Sequence, residues 1–403
     1  MSKLLVTGQV ISGQSGEPPA ILQLAFRPFF LFGALFSVVS IALWAGSIAG
    51  YSNLNVYGGP LWWHVHEMLF GFVSAIVVGF LLTAVRTWTG QPGFGGLLLG
   101  CLVALWLAGR CVFFLSVDLP VWVIVLVDLL FLPLAALILA IPVVRVKQWR
   151  NIIFVPLLLI MAITNAAMHW AAIESSASGL IRTGNTMVLL VTVLMTIMAG
   201  RVVPMFTASG TGTKQVPAHA MLEKLALMTL LLAVVASFRF QGVPAILVAL
   251  CFVTAGLVHG IRAFRWRIWV SFRTPLVWSL HLSYWCIVLG LILYGISEVS
   301  SAVTRPQAIH TLTVGAMGTM ILSMISRVSL GHTGRALQVG WVMSGAFALI
   351  LSAFVVRVFG SLWIDNYVDQ IVVAAFFWVL GYGCFTVFYA AMLIGPRVDG
   401  KPG

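Results

Sequence analysis

Charged residues are scarce in this sequence, at 8% of 403 residues, whereas hydrophobic residues make up 61% of it. A soluble protein of this length needs far more charge on its surface. No polar stretch is long enough to form a separate soluble domain. The composition therefore predicts an integral membrane protein that forms a single polytopic unit.

Cysteine is also rare, and the five cysteines form no CxxC or CxxCH motif and no close pair. This pattern argues against a disulfide framework, an iron–sulfur cluster and c-type haem attachment. The net charge is +12, but the basic residues flank apolar segments and do not form a hydrated basic face. We therefore expect no nucleic-acid partner, and we interpret the basic residues as orienting the chain in a lipid bilayer.

Apolar runs of about 20 residues, the length that crosses a bilayer core, recur twelve times. This pattern predicts an all-α fold with twelve transmembrane helices in one domain, 27–397, between a flexible tail (1–26) and a C-terminal tail (398–403). Seventeen of the 22 Lys and Arg fall on the side that carries both termini, which places the termini in the cytoplasm. The predicted spans lie near 28–50, 61–85, 94–116, 119–144, 152–173, 180–206, 218–238, 243–263, 275–297, 306–330, 337–357 and 366–394.

Histidines mark the ends of several predicted spans. His64 and His66 open the second span, His169 nearly closes the fifth and His310 opens the tenth, so all four are expected near the outer face. Neutral imidazole binds copper, haem iron and zinc, and such groups need partners in a membrane. The alternative is that these histidines lie in the wet interface without a ligand. Trp62, Trp63 and Trp170 accompany them and are interpreted as interfacial belt residues.

The segment WWHVHEMLFGF places two histidines two residues apart, and such residues point about 200° apart on a regular helix. His64 and His66 can therefore share one metal only if the chain is extended there. Otherwise they serve two centres, or one ligates while the other forms a hydrogen bond. Glu67 shares a helix face with His64 and could orient that imidazole or deliver protons, unless it only complements the helix dipole.

Other polar groups in or beside the spans are further candidates. Asn165 lies on the same face as His169 and could bind a ligand or join helices, and Glu174 could pass protons. Asp128 lies inside the fourth span, where a carboxylate is costly unless it is paired or protonated. Toward the inner face, candidates for a haem and its propionates are His281, His332, Arg201, Arg327 and Arg335, and the alternative for the arginines is anchoring of helix ends.

Five segments together resemble the NnrS family, over about residues 26–335. They are FRPFFLFGALF, WWHVHEMLFGF, NAAMHW, GRVVPMFT and HTLTVGAMGTMILSMISRVSLGHTGR. The resemblance implies a twelve-span protein of the bacterial inner membrane that contains haem b and copper and is linked to nitric oxide. Residues that fall on motif positions are His64, His66, His169, His310, His332, Glu67, Asn165, Arg201 and Arg327, and His281 is grouped with them. The resemblance leaves open which residues hold haem and which hold copper.

Two functions follow from these expectations. In the first, the chain is an oxidoreductase that reduces nitric oxide at a His-ligated haem or haem–copper site with electrons from membrane quinol. Its metal ligands would be His64, His66, His169 and His310, and Glu67, Asn165 and Glu174 would take catalytic roles. In the second, the chain binds nitric oxide or handles metals without turnover. A transporter is disfavoured, because transporters concentrate polar groups near the bilayer midplane.

Overall fold

The computed structural model describes residues 18–115, 118–238 and 242–400, and every regular element in these ranges is helical. Eleven helices of the described ranges are long and apolar enough to cross a membrane. The chain is therefore an all-helical, multi-pass membrane protein. The helices are α1 (Phe26–Ile48), α2 (Gly59–Thr89), α3 (Gly96–Leu115), α4 (Val121–Arg145), α5 (Trp149–Ile173), α6 (Ala177–Thr211), α7 (Ala220–Ala236), α8 (Ala245–Arg265), α9 (Pro275–Val299), α10 (Arg305–His332), α11 (Trp341–Leu362) and α12 (Tyr367–Ile394).

Of the twelve predicted spans, the one at α7 is not among the eleven candidate membrane-spanning helices of the described ranges. Helix α7 covers the predicted span 218–238, but its 17 residues, Ala220–Ala236, are shorter than the other candidates. The twelve-span count and the cytoplasmic termini therefore stay predictions. Most of the predicted N-terminal tail and the last three residues of the C-terminal tail lie outside the described ranges.

Four helices form the centre of the bundle. The most apolar window of α2 is 83% buried inside the protein, and those of α6, α10 and α9 are 72%, 72% and 67% buried, whereas the other seven candidates are 39–44% buried. A lipid-facing helix needs only apolar side chains, whereas a central helix can hide polar ones from lipid. The histidines of α2, α9 and α10 therefore lie on helices that can bury them.

Two of the central helices contain π-helical segments, Glu67–Val73 in α2 and Thr311–Gly318 in α10. Each segment begins directly after a predicted ligand, His66 or His310. A π-helical turn inserts one extra residue and rotates the side chains that follow it, and such turns are frequent at functional sites. The two segments therefore change which residues face the centre of the bundle after each histidine.

Helices α8 and α9 approach each other closely at two glycines. A Cβ atom on Gly295 would lie 2.7 Å from the Ala249 carbonyl oxygen, and one on Gly256 would lie 2.6 Å from Ile292 Cγ1. Small residues at such crossings allow helix backbones to pack directly in a membrane.

We predict that Gly295→Ala lowers the free energy of unfolding by about 1–3 kcal/mol, because the added methyl group overpacks the α8–α9 contact. Gly383→Ala on α12 is the matched control, since a Cβ there meets nothing within 4 Å in the described part of the chain. It should be neutral or stabilise by up to about 1 kcal/mol. Denaturation in detergent measures both, and an equal loss in the two variants would contradict the close packing.

Candidate functional site

A cluster of polar side chains is buried between α2, α3, α4 and α5. All of its members are at most 6% exposed. Ionisable side chains at this depth are costly unless they compensate one another or bind a ligand. We call this group the polar cluster, and its members are His66, Glu67, Arg110, Asp128, Asn165 and His169.

Arg110 is the central cation of the polar cluster. Its Nη1 donates to Glu67 Oε1 at 2.6 Å, and its Nη2 donates to Asp128 Oδ1. One guanidinium thus bridges two carboxylates from different helices, in the two-pronged geometry that arginine favours. With both carboxylates ionised, these three residues carry one negative charge in excess, which a further cation can balance.

His66 is that further cation in this arrangement. Its Nδ1 lies 2.8 Å from Glu67 Oε1, and its Nε2 lies 3.1 Å from Asp128 Oδ2 and 2.9 Å from Asn165 Oδ1. All three partners are oxygen acceptors, so both ring nitrogens carry a proton and the ring is an imidazolium. The polar cluster is then electrically neutral, and a metal cation could replace the imidazolium protons.

The hydrogen bonds of the polar cluster converge on Asp128 Oδ2. His66 Nε2 and His169 Nε2 lie 3.1 and 3.2 Å from this oxygen, and Asn165 Nδ2 donates to it at 2.7 Å. One ligand atom from each of His66, Asp128 and His169 can be chosen so that all three lie within 4.8 Å of one another. Two imidazoles and one carboxylate are a donor set that copper, zinc and non-haem iron accept.

Aromatic side chains enclose this convergence point. Trp62 stacks on His66 at 4.5 Å between ring centroids, and its Nε1 donates to the Met168 carbonyl oxygen at 2.9 Å. Trp62 and Trp63 are 2% and 0% exposed, so their interpretation as belt residues is wrong, whereas Trp170 is 64% exposed. Trp62 forms a wall of the site, because its ring also lies 5.3 Å from that of His169.

Tyr57 covers the polar cluster from the loop before α2. Its ring lies 5.6 Å from that of His169, and its hydroxyl is buried without a hydrogen-bond partner among the described residues. Burial, together with the negative charge of Asp128, raises the pKa of Tyr57 to about 12. The phenol therefore stays protonated at neutral pH and can donate a hydrogen bond to an incoming ligand.

His64 points away from the polar cluster, into a cavity of about 640 Å³ bounded by α1, α2, α6, α10, α11 and α12. We call it the histidine cavity, because both His64 and His310 line it. His64 stacks on Trp44 at 4.5 Å, and its Nδ1 is buried with no partner in the described ranges. The Nδ1 of His310 lies 2.7 Å from the Pro306 carbonyl oxygen and must donate to it, so its Nε2 keeps a free lone pair.

The remaining polar groups of the histidine cavity include two arginines. Arg305 pairs with Glu298 at 2.5 Å, and Arg357 Nη2 donates to the Tyr367 hydroxyl at 3.0 Å. The other lining side chains are mostly apolar and aromatic. An apolar cavity of this size with basic groups and two imidazoles suits a large flat ligand that carries carboxylates.

The two sites show which interpretation of the HxH spacing holds. Helix α2 is a regular α-helix over Gly59–His66, so His64 and His66 face different sites and cannot share one metal. Glu67 contacts His66, which differs from the pairing with His64 that helical spacing suggested. The ion pair with Arg110 is the physical reason, because Arg110 Nη1 donates to the same Glu67 Oε1 that faces His66 Nδ1.

Several predicted residues lie elsewhere. Glu174 is exposed at the C-terminal end of α5, outside the polar cluster. His281 Nε2 lies 2.9 Å from Thr207 Oγ1, and Arg327 donates to Ser209 at 3.2 Å, so these two share one segment of α6.

The other inner candidates have different neighbours. The ring of His332 lies 5.4 Å from that of Phe26, and Arg335 reaches the Thr333 carbonyl oxygen at 3.5 Å. Arg201 donates to Asn151 at 2.7 Å. A haem site shared by all five inner residues therefore stays a prediction.

Arg110 is not among the site residues that the sequence predicts, and the sequence names no partner for Asp128. The general pattern of basic residues that flank spans does not fit Arg110, because it lies within an apolar run, LAGRCVFF. An arginine in one apolar run and an aspartate in the next is a signal of a buried ion pair.

We predict that Arg110→Met lowers the free energy of unfolding by about 3–5 kcal/mol, because it leaves two buried carboxylates without their cation. Adding Asp128→Asn to this variant should restore part of the loss, since it removes one of those charges. The exposed Arg182, replaced by methionine, is the control and should change little. Denaturation in detergent measures all three, and similar losses in Arg110→Met and Arg182→Met would refute the role of the ion pair.

The family model described as NnrS protein matches residues 20–397, which is nearly the whole chain. A search of curated proteins finds no match. The matched range includes every residue of the polar cluster and of the histidine cavity. The chain therefore belongs to the NnrS family, a family of membrane proteins linked to nitric oxide.

Proposed function

We propose that this protein binds copper in the polar cluster and haem b in the histidine cavity, and that it reduces nitric oxide to nitrous oxide in the bacterial cytoplasmic membrane. The observation that supports this most is the HxH pair of α2. It presents His66 to a set of metal-binding groups and His64 to a cavity of cofactor size. Both sites are then held by one rigid central helix.

The polar cluster fits copper by its donors and by its charge. His66, His169 and Asp128 supply two nitrogens and one oxygen, and imidazole nitrogens are favoured ligands of copper. Glu67 Oε1 accepts from the other ring nitrogen, Nδ1, and holds the ring orientation of His66, as groups around metal ligands commonly do. Arg110 donates to Asp128 and offsets part of its negative charge. A bound copper ion therefore has to balance only the charge that Arg110 leaves.

The histidine cavity fits haem by its volume, its apolar lining and its two imidazoles. A nitrogen of His64 is unpartnered within the described ranges, and the Nε2 of His310 is free to ligate because its Nδ1 is engaged. Arg305 and Arg357 could bind the propionates. When bound, haem iron supplies the site where nitric oxide binds and receives electrons.

The chain's own residues supply protons and exclude water. Joining two nitric oxide molecules to nitrous oxide and water consumes two electrons and two protons. With Nε2 of His66 on the metal, the ring keeps only the Nδ1 proton, which faces Glu67 Oε1. Glu67 Oε2 is buried with no partner in the described part of the chain, so this carboxylate can take up and release a proton. Trp62, Phe70 and Phe113 surround the His66 ring and keep bulk water out.

Membrane quinol is the electron donor in this proposal, because the sequence carries no CxxCH motif for a c-type haem. Glu174 is exposed at the end of α5. It could take up protons from solvent, but it does not contact the polar cluster. The histidine sites are proposed to lie near the periplasmic face, as the distribution of Lys and Arg suggests.

A second candidate function is binding of nitric oxide or handling of metal without turnover. The burial of the polar cluster favours it, because His66, His169 and Asp128 are 0%, 1% and 4% exposed. A sealed site suits tight retention of a metal. The two candidates share their ligands and differ only in whether electrons and protons are delivered.

We predict that the two cofactors are lost separately. His64→Ala and His310→Ala should abolish haem in a pyridine haemochrome assay and keep copper, because these side chains line only the histidine cavity. His66→Ala and His169→Ala should lose at least tenfold in copper affinity, measured by elemental analysis and metal titration, and keep haem. His219→Ala, at an exposed helix start, is the control and should keep both. Loss of haem in His281→Ala, with haem kept in His64→Ala, would show that the haem binds near His281 and not in the histidine cavity.

We predict that purified protein in lipid nanodiscs produces nitrous oxide from nitric oxide when a quinol is supplied. Glu67→Gln should lower this rate by about 10²- to 10⁴-fold, because it removes a proton donor. Glu174→Gln, at an exposed site, is the comparison and should keep most of the rate. Tight nitric oxide binding without nitrous oxide in the unaltered protein would reject reduction and leave the non-catalytic candidate.

A further inference from the structure

A second, smaller cavity lies in the middle of the bundle. Its volume is about 70 Å³, and all of the side chains that line it are apolar. We call it the methionine cavity, and it is characterised by Met195, Met198, Ala199, Met320, Met324 and Val73. Two methionines come from α6 and two from α10, while α1, α2 and α9 complete the wall.

The methionine cavity continues the histidine cavity along the same three helices. Val188 lines the histidine cavity and Val191 the methionine cavity, and on α10 the corresponding residues are Met317 and Met320. On α2, Val73 lines both. A step of three residues along a helix is about 4.5 Å, so the two cavities are less than one helical turn apart.

The partition between the cavities consists of side chains that can move. Met317 and Met320 are unbranched and have three rotatable bonds each, so they can open and close a gap without a change in the backbone. Val73 separates the cavities on the α2 side and contributes only two methyl groups. Changes of side-chain rotamer, which occur rapidly, could therefore let a small molecule pass between the two cavities.

The lining decides what the methionine cavity can hold. Water in a buried cavity needs two or more polar partners, and an apolar cavity stays dry and takes apolar molecules such as xenon. An ion would have no carboxylate or carbonyl group of the lining to compensate its charge. A volume of about 70 Å³ admits only a few heavy atoms, which is too little for a quinol ring.

We infer that the methionine cavity is a holding site for a small, uncharged, apolar gas molecule, adjacent to the histidine cavity. The identity of that gas as nitric oxide rests on the proposed function, whereas the cavity's preference for apolar gases does not. Nitric oxide is diatomic and nearly apolar and concentrates in lipid. A molecule held there lies next to the histidine cavity, which His64 and His310 line.

Xenon is the probe for this site, and it needs neither haem nor nitric oxide. Crystals of the full-length protein under xenon pressure should show anomalous density between α6 and α10, beside Met195 and Met320. Ala199→Leu fills the cavity and should abolish this density, while xenon bound elsewhere in the same crystal remains as an internal reference. Ala208→Leu, on the same helix but outside the lining, is the matched control and should keep the density.

A second variant separates filling of the cavity from loss of stability. Met198→Ala enlarges the same cavity and should raise xenon occupancy at a given pressure, which a merely destabilising change would not do. Absence of xenon from the unaltered cavity, or ordered water in its place, would overturn the inference.

A kinetic measurement tests whether the methionine cavity holds nitric oxide that then rebinds to the haem. In haem-loaded protein, Ala199→Leu should lower the fraction of photolysed nitric oxide that rebinds from within the protein, and Ala208→Leu should not. An unchanged fraction in Ala199→Leu, with xenon still bound in the unaltered protein, would overturn the role as a gas store. It would leave the assignment of haem and copper untouched.

Discussion

The bridge from Arg110 to Glu67 and Asp128 is the interaction on which the polar cluster depends. Three charged groups from α2, α3 and α4 are taken out of water and lipid together, and each one is tolerable only because the others are present. The bridge leaves one negative charge to balance, which explains why His66 is held as an imidazolium among oxygen acceptors. The same excess of negative charge prepares the site for a metal cation.

Helix α2 connects this cluster to the rest of the molecule. It is the most buried span, and it presents one histidine to each side. Two sites on opposite faces of one helix keep a fixed separation, because the helix between them is short and regular. Arg110 Nη1 donates to Glu67 Oε1 and holds that carboxylate beside His66 Nδ1. The ion pair thus decides which histidine Glu67 contacts.

A comparison with His259 shows what distinguishes a candidate ligand from a structural histidine. His259 Nε2 lies 3.1 Å from the Ala226 carbonyl oxygen and donates to it, and its Nδ1 lies 2.6 Å from the Tyr284 hydroxyl, which accepts from Arg262. Both ring nitrogens are therefore engaged by protein groups, and the ring has no lone pair left for a metal. His64 and His310, by contrast, line a cavity and retain nitrogens that a ligand can use.

The membrane class, most of the helix positions and the family can be predicted from the sequence, and so can the candidate residues His64, His66, His169, His310, Glu67 and Asn165. These features are local, since span length and side-chain spacing depend on residues close in the chain. Three features become visible only in the folded protein: Arg110 and Asp128 join His66, His64 shares a cavity with His310, and methionines of α6 and of α10 line the same cavity. The contacts of His66 with Asp128 and Asn165 cross 62 and 99 residues. The order in which helices pack around a bilayer-spanning core is set by interhelical contacts, which no periodicity within a single helix encodes.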